Sequence, residues 1–117
     1  MEREKVKAIT PEEVSQEIPD YVIIGANECI KEHYIEDKKC SHFTQDELIE
    51  KITDAYYRIY PLTPMNSDTL RAELFKKHYL DIEPIYRAAG WIVKYDKPAY
   101  CESYDANFTF SKNYDIL

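Results

Sequence analysis

The stretch from Tyr86 to Phe110, YRAAGWIVKYDKPAYCESYDANFTF, decides the fold. It leaves a helical pattern at Gly90, and from Trp91 its apolar residues recur at every second position. Trp91, Val93 and Tyr95 alternate with Ile92 and Lys94, while Tyr104, Ala106, Phe108 and Phe110 alternate with Asp105, Asn107, Thr109 and Ser111. A period of two with one apolar and one mostly polar face predicts two antiparallel strands. The joining segment, Asp96 to Tyr104, holds two tyrosines, a proline, a cysteine and two acids, where a tight turn would close the hairpin at less entropic cost. One reading is that its rings cover the open edge of a small sheet. The other is a recognition tip in which Tyr95, Lys97, Pro98, Tyr100, Glu102 and Tyr104 meet a protein or a nucleobase, because tyrosine supplies contact area at low entropic cost.

Upstream of this stretch the period is helical. In ITPEEVSQEI, Thr10 as cap, Pro11 in the first turn and Glu13 as capping-box acid predict a short helix over 11–17 that Pro19 interrupts. A helix from Pro19 onward places Val22, Ala26, Cys29, Ile30 and Tyr34 on one face, and Gly25 inside it marks a close helix–helix approach. YIEDKKCSHF reads as a polar connector. Thr44 and Glu47 form a second capping box, followed by the stripe Leu48, Ile52, Ala55 and Ile59, which Pro61 and Pro64 end. Asn66 or Ser67 caps a third helix with Leu70, Leu74, Phe75 and His78 facing inward. Asp81 caps a last short helix, Ile82 to Ala89, with Pro84 in its first turn and Gly90 as its left-handed stop. An isolated hairpin is barely stable, so its apolar face must lie on the helices. The expectation is one α+β domain over residues 1–117, loose at 1–8 and 113–117. Four to five helices precede a C-terminal two-stranded antiparallel β-hairpin, in winged-helix-like order.

Composition narrows the function classes. No run approaches the ~20 apolar residues of a membrane span, and MEREKVKAIT lacks the apolar core of a secretory signal. With three cysteines, Cys29, Cys40 and Cys101, at least one is unpaired, so a reducing cytoplasm is expected. The formal charge is −7, and residues 1–65 carry 14 acids against 8 bases, whereas residues 66–117 carry 8 against 7. An acidic half is a poor platform for phosphate backbones and suits either solubility, as a solvated face, or contact with a basic protein surface.

Four constellations bear on chemistry. Cys29, His33, Cys40 and His42 are all zinc-ligand types within fourteen residues, but Cys40-x-His42 is an uncommon pairing and Cys29 completes an apolar stripe. Cys101 as nucleophile, with His78 or His42 as base, would need an activated thiolate, and its acidic neighbours work against one. Asp81, Glu83, Asp96, Glu102 and Asp105 offer carboxylate pairs, yet 22 acids in 117 residues will always yield some. There is no glycine-rich phosphate loop, since the chain has only two glycines, and nothing calls for a cofactor. A winged-helix reading would place LDIEPIYRAAG in the major groove, where Arg87 is its one base, joined by Lys94 and Lys97 from the hairpin. That charge disfavours nucleic acid.

The motifs Ile18-Pro19-Asp20 before a helix, Tyr86-Arg87-x-Ala89-Gly90-Trp91 after one, and Tyr95-Asp96-x-Pro98-x-Tyr100-x-Glu102-x-Tyr104 ending in Phe108-x-Phe110 carry a resemblance. Over most of residues 9–112 the chain resembles a group of small uncharacterised bacteriophage-encoded proteins, least so from Thr53 to His78. The resemblance implies a phage origin and the cytoplasm of an infected bacterium, and it implies no activity. The expected function is a non-enzymatic module that binds a host or phage protein, in an inhibitory manner in one version, by acidic mimicry of DNA. The alternatives are a winged-helix-like nucleic-acid binder and a small hydrolase using Cys101 or a carboxylate pair.

Overall fold

The computed structural model describes residues 8, 18–62 and 65–112. Among the described residues, four helices and four strands follow one another in the order α1 (Asp20–His33), β1 (Tyr34–Ile35), β2 (Cys40–Thr44), α2 (Gln45–Ile59), α3 (Ser67–Lys76), α4 (Glu83–Ala88), β3 (Ile92–Asp96) and β4 (Asn107–Ser111). The fold is α+β. The helix expected over 11–17, the loose ends 1–7 and 113–117, and Pro64 lie outside the described residues.

The two-stranded hairpin is corrected to a four-stranded antiparallel sheet in the order β1-β2-β4-β3, and the helices precede the strands only in part. The supposed polar connector is the source of the difference. Its Tyr34–Ile35 pairs with Cys40–Ser41, and Cys40–Thr44 then pairs residue for residue with Asn107–Ser111. In β2 the alternation is real but short, with Ser41 and Phe43 buried and His42 outward. Phe43, Phe108 and Phe110 stack across the pair, with centroids 5.5–6.2 Å apart. Val93 and Tyr95 of β3 lie opposite Phe110 and Phe108. A buried hydroxyl, that of Ser41, donates to the Ile30 carbonyl at 2.8 Å and ties the sheet to α1.

The helices form where the local chemistry asks for them. Thr44 and Glu47 make the reciprocal capping box at the start of α2, and Asn66 accepts from the Thr69 amide at the start of α3. Leu48, Ile52 and Ala55 are buried as their spacing requires, joined by Ile49 and Tyr56, whereas Ile59 is exposed. Gly25 does mark a close approach: α1 and α2 touch there backbone to backbone. Tyr34 leaves the α1 stripe to become the helix C-cap and the first residue of β1.

Two local expectations fail for a stated reason. Asp81 is not the cap of α4, because Ile82 occupies that position without a side-chain hydrogen bond, while Pro84 sits in the first turn. His78 does not face inward and Phe75 is partly exposed. At the end of α3, His78 takes a left-handed conformation with φ 57°. Its amide donates to Phe75 O, and the Tyr79 amide donates to Leu74 O. That pattern is a Schellman stop, usually made with glycine, and it turns the imidazole outward. Gly90, with φ 105°, ends α4 as expected.

Candidate functional site

The β3–β4 loop leaves the sheet beside the start of α2, where the Gln45 amide donates to Ala106 O at 2.7 Å. Most of its expected recognition residues hold the loop itself. The Tyr104 hydroxyl lies 2.9 Å from both Asp96 Oδ1 and Lys97 O, and the bond to Asp96 is the main cause that pushes its pKa up to about 12. The Tyr95 hydroxyl donates to Gln45 Oε1 at 2.8 Å, and its ring packs on Phe108 at 4.7 Å. Glu102 closes a turn, its amide donating to Ala99 O and its carboxylate accepting from Ala99 N. Pro98 is half-buried. Tyr100 alone projects its whole ring into solvent.

Beside this loop lies a groove of about 300 Å³. Its floor is Leu74, Leu80 and Phe108, its walls are the rings of Phe75 and Tyr95, and its rim carries Gln45, His78, Asp81, Glu83 and Lys97. The Schellman turn puts His78 on this rim, with Nδ1 4.0 Å from Asp81 Oδ2. Burial pushes the Glu83 carboxyl above the usual range, and the charge of Asp81 adds to that. Burial likewise raises Tyr95, followed by the charges of Glu83 and Asp81. An apolar slot edged by two carboxylates and two aromatic rings suits a cationic side chain with a long aliphatic stem. Lys97 and Tyr95 are thus brought to a common site with residues that no sequence pattern singled out, Gln45 and Leu80 among them. The left-handed turn that presents His78 carries no glycine to announce it.

The other constellations are put to different uses. Cys29 is fully buried in the core, and burial, then the charges of Glu47 and Glu32, push its thiol up to about 12. His33 Nδ1 lies 2.9 Å from Cys29 O and Nε2 lies 2.8 Å from Glu47 Oε2, so both ring nitrogens are engaged. Cys40 stands at the start of β2, and His42 pairs with Thr109 at 2.9 Å on the outer sheet face. Among the described residues no group of three or more His, Cys, Asp or Glu is arranged to hold a metal. Cys101 is exposed in the turn of the β3–β4 loop, and no hydrogen bond joins it to His42 or His78. Of the carboxylates, only Asp81 and Glu83 share a site, since Asp96 is bound by Tyr104 and Glu102 by its own turn. Arg87 donates to Val93 O at 3.0 Å, bracing α4 against β3, and Lys94 is exposed.

Comparison of the chain with protein-family models, with curated proteins and with solved structures finds no match. No helix among the described residues is long and apolar enough to cross a membrane.

Proposed function

We propose that this chain is a non-enzymatic module that binds a host or phage protein through the β3–β4 loop and the groove beside it. The observation that carries the reading is the groove itself, an apolar slot whose half-buried Glu83 stands beside Asp81 and, among the described residues, forms no salt bridge. A lysine or arginine of a basic partner would lay its stem on Leu74, Leu80 and Phe108 and bring its charge to these carboxylates, while Tyr100 supplies a ring at the rim of the contact. The acidic amino-terminal half suits such a partner, and the resemblance to phage-encoded proteins supports an encounter in the cytoplasm of an infected bacterium.

The test is capture of partners from infected and uninfected lysates by the tagged wild type, Asp81→Lys and Tyr100→Ala at two salt concentrations. One protein held by the wild type and lost by both variants supports the reading. A partner held equally by all three sinks it.

One observation favours a second reading. The order α1, β1, β2, α2, α3, α4, β3, loop, β4, with β4 between β2 and β3, resembles that of a winged helix with an added strand and helix, in which the last helix would enter the major groove. Against it, α4 has six residues, its Arg87 is engaged with β3, and Glu83 lies at its start. Nucleic acid recovered in the same capture, and released at the higher salt, would promote this reading over the first.

A further inference from the structure

A second pocket opens at the opposite end of the sheet. The register sets β2 and β3 running up from Cys40 and Ile92, with Ser111 beside both, so the β3–β4 loop and this end are separated by the length of the strands. Here α1 delivers Lys31, its C-cap delivers Tyr34, and the residues just outside β3 and β4 deliver Trp91 and Lys112. With Ile30 they line a cavity of about 260 Å³.

Its chemistry runs against the rest of the molecule. In a chain of charge −7, among the described residues neither Lys31 nor Lys112 forms a salt bridge, as is also true of Lys38, Lys39, Lys76, Lys94 and Lys97, whereas Lys51, Arg58, Arg71 and Lys77 do. Lys38 and Lys39 occupy the adjoining β1–β2 turn, where Lys39 O accepts from the Lys112 amide. Glu36 and Asp37 share that turn, and Glu32, next to Lys31, is held by Lys51. Lys112 Nζ stands 4.6 Å above the Tyr34 ring. Among the described residues the Tyr34 hydroxyl is buried without a hydrogen-bond partner, an arrangement that costs stability. Trp91 is half-buried, edge-on to Phe110 at 6.1 Å.

We infer that this pocket binds a nucleobase joined to a phosphate. The base stacks on the Trp91 indole, which accepts any base because each has a π-face, and the phosphate sits between the ammonium groups of Lys31 and Lys112 as point charges. Side chains thus do what a glycine-rich backbone loop does elsewhere. The volume holds a single base and its phosphate. The site is independent of the groove by the β3–β4 loop and stands or falls without it.

Trp91 is the only tryptophan, so its fluorescence reads the pocket directly. The full chain is titrated with adenosine 5′-monophosphate, adenosine, ribose 5-phosphate and a 5′-phosphorylated tetranucleotide. Saturable quenching by the monophosphate is expected, with adenosine and ribose 5-phosphate each weaker by about tenfold or more. Lys31→Ala and Lys112→Ala, both at exposed positions, should each weaken the monophosphate by about tenfold without altering the circular dichroism spectrum. A tetranucleotide bound more tightly than the monophosphate assigns the site to a strand end, and one bound no better assigns it to the free nucleotide. No saturable quenching, equal binding of adenosine, or unchanged affinity in both lysine variants overturns the inference.

Discussion

A β-carbon on Gly25 would stand 2.5 Å from the Ile52 Cα and 2.7 Å from its nitrogen. No side-chain motion relieves a clash with backbone, so α1 and α2 keep their separation only while position 25 is glycine. Gly25→Ala gains about 1 kcal/mol of helix propensity yet should lower stability by about 1–3 kcal/mol net. Urea unfolding measures it, and an unchanged or raised midpoint would contradict the contact.

Glu47 serves two elements at once. One oxygen accepts from the Thr44 amide at 2.9 Å, and the other lies 2.8 Å from His33 Nε2. The Thr44 bond is the largest cause that lowers the Glu47 carboxyl below its ordinary value of 4.5. Burial alone would lower His33, but its bonds to Cys29 O and Glu47 outweigh that and raise it above 6.5. A raised histidine stabilises fully below its unfolded pKa and loses that contribution as pH climbs through the folded value. A lowered carboxyl does the reverse, contributing above 4.5 and losing it in acid. Stability from this pair should therefore peak between about 4.5 and 6.5. The gap between wild type and His33→Ala should be larger at pH 6 than at pH 8.5, and a gap independent of pH would refute the pairing. Thr44→Ala should cost about 1 kcal/mol at either pH.

His78 holds a left-handed conformation that glycine adopts freely. His78→Gly should stabilise the fold by about 1 kcal/mol, read as a raised thermal midpoint. A fall would mean that the imidazole contributes contacts beyond its place on the groove rim.

Tyr104→Phe removes the hydroxyl that joins Asp96 and Lys97 O. Because the side chain is exposed, global stability should change by less than about 1 kcal/mol. Amide hydrogen exchange between residues 97 and 104 should quicken while that of β2 and α2 does not. Unchanged exchange in the loop would show that the turn closed by Glu102 suffices to hold it.

The sequence by itself determined those features whose causes lie within a few residues. The capping box of Thr44 and Glu47, the Asn66 cap, the glycine stop at Gly90 and the alternation of Val93, Phe108 and Phe110 are each legible because their partners are three or four residues away, or two along a strand. Even the Gly25 contact was legible, since glycine inside a helix has few other uses. What only the tertiary structure decided depends on residues far apart in the chain. CSHFT has little strand character alone and becomes β2 because β4, more than sixty residues later, offers it a complete ladder and the faces of Phe108 and Phe110. That pairing made a two-stranded hairpin one half of a four-stranded sheet whose central strands are β2 and β4. The groove joins Gln45, the α3–α4 turn, β3 and Phe108, and the second pocket joins the end of α1 to residues flanking β3 and β4. Short-range patterns record propensity and capping, but which distant segments meet is settled by the burial of apolar faces against one another, and only that meeting makes a site.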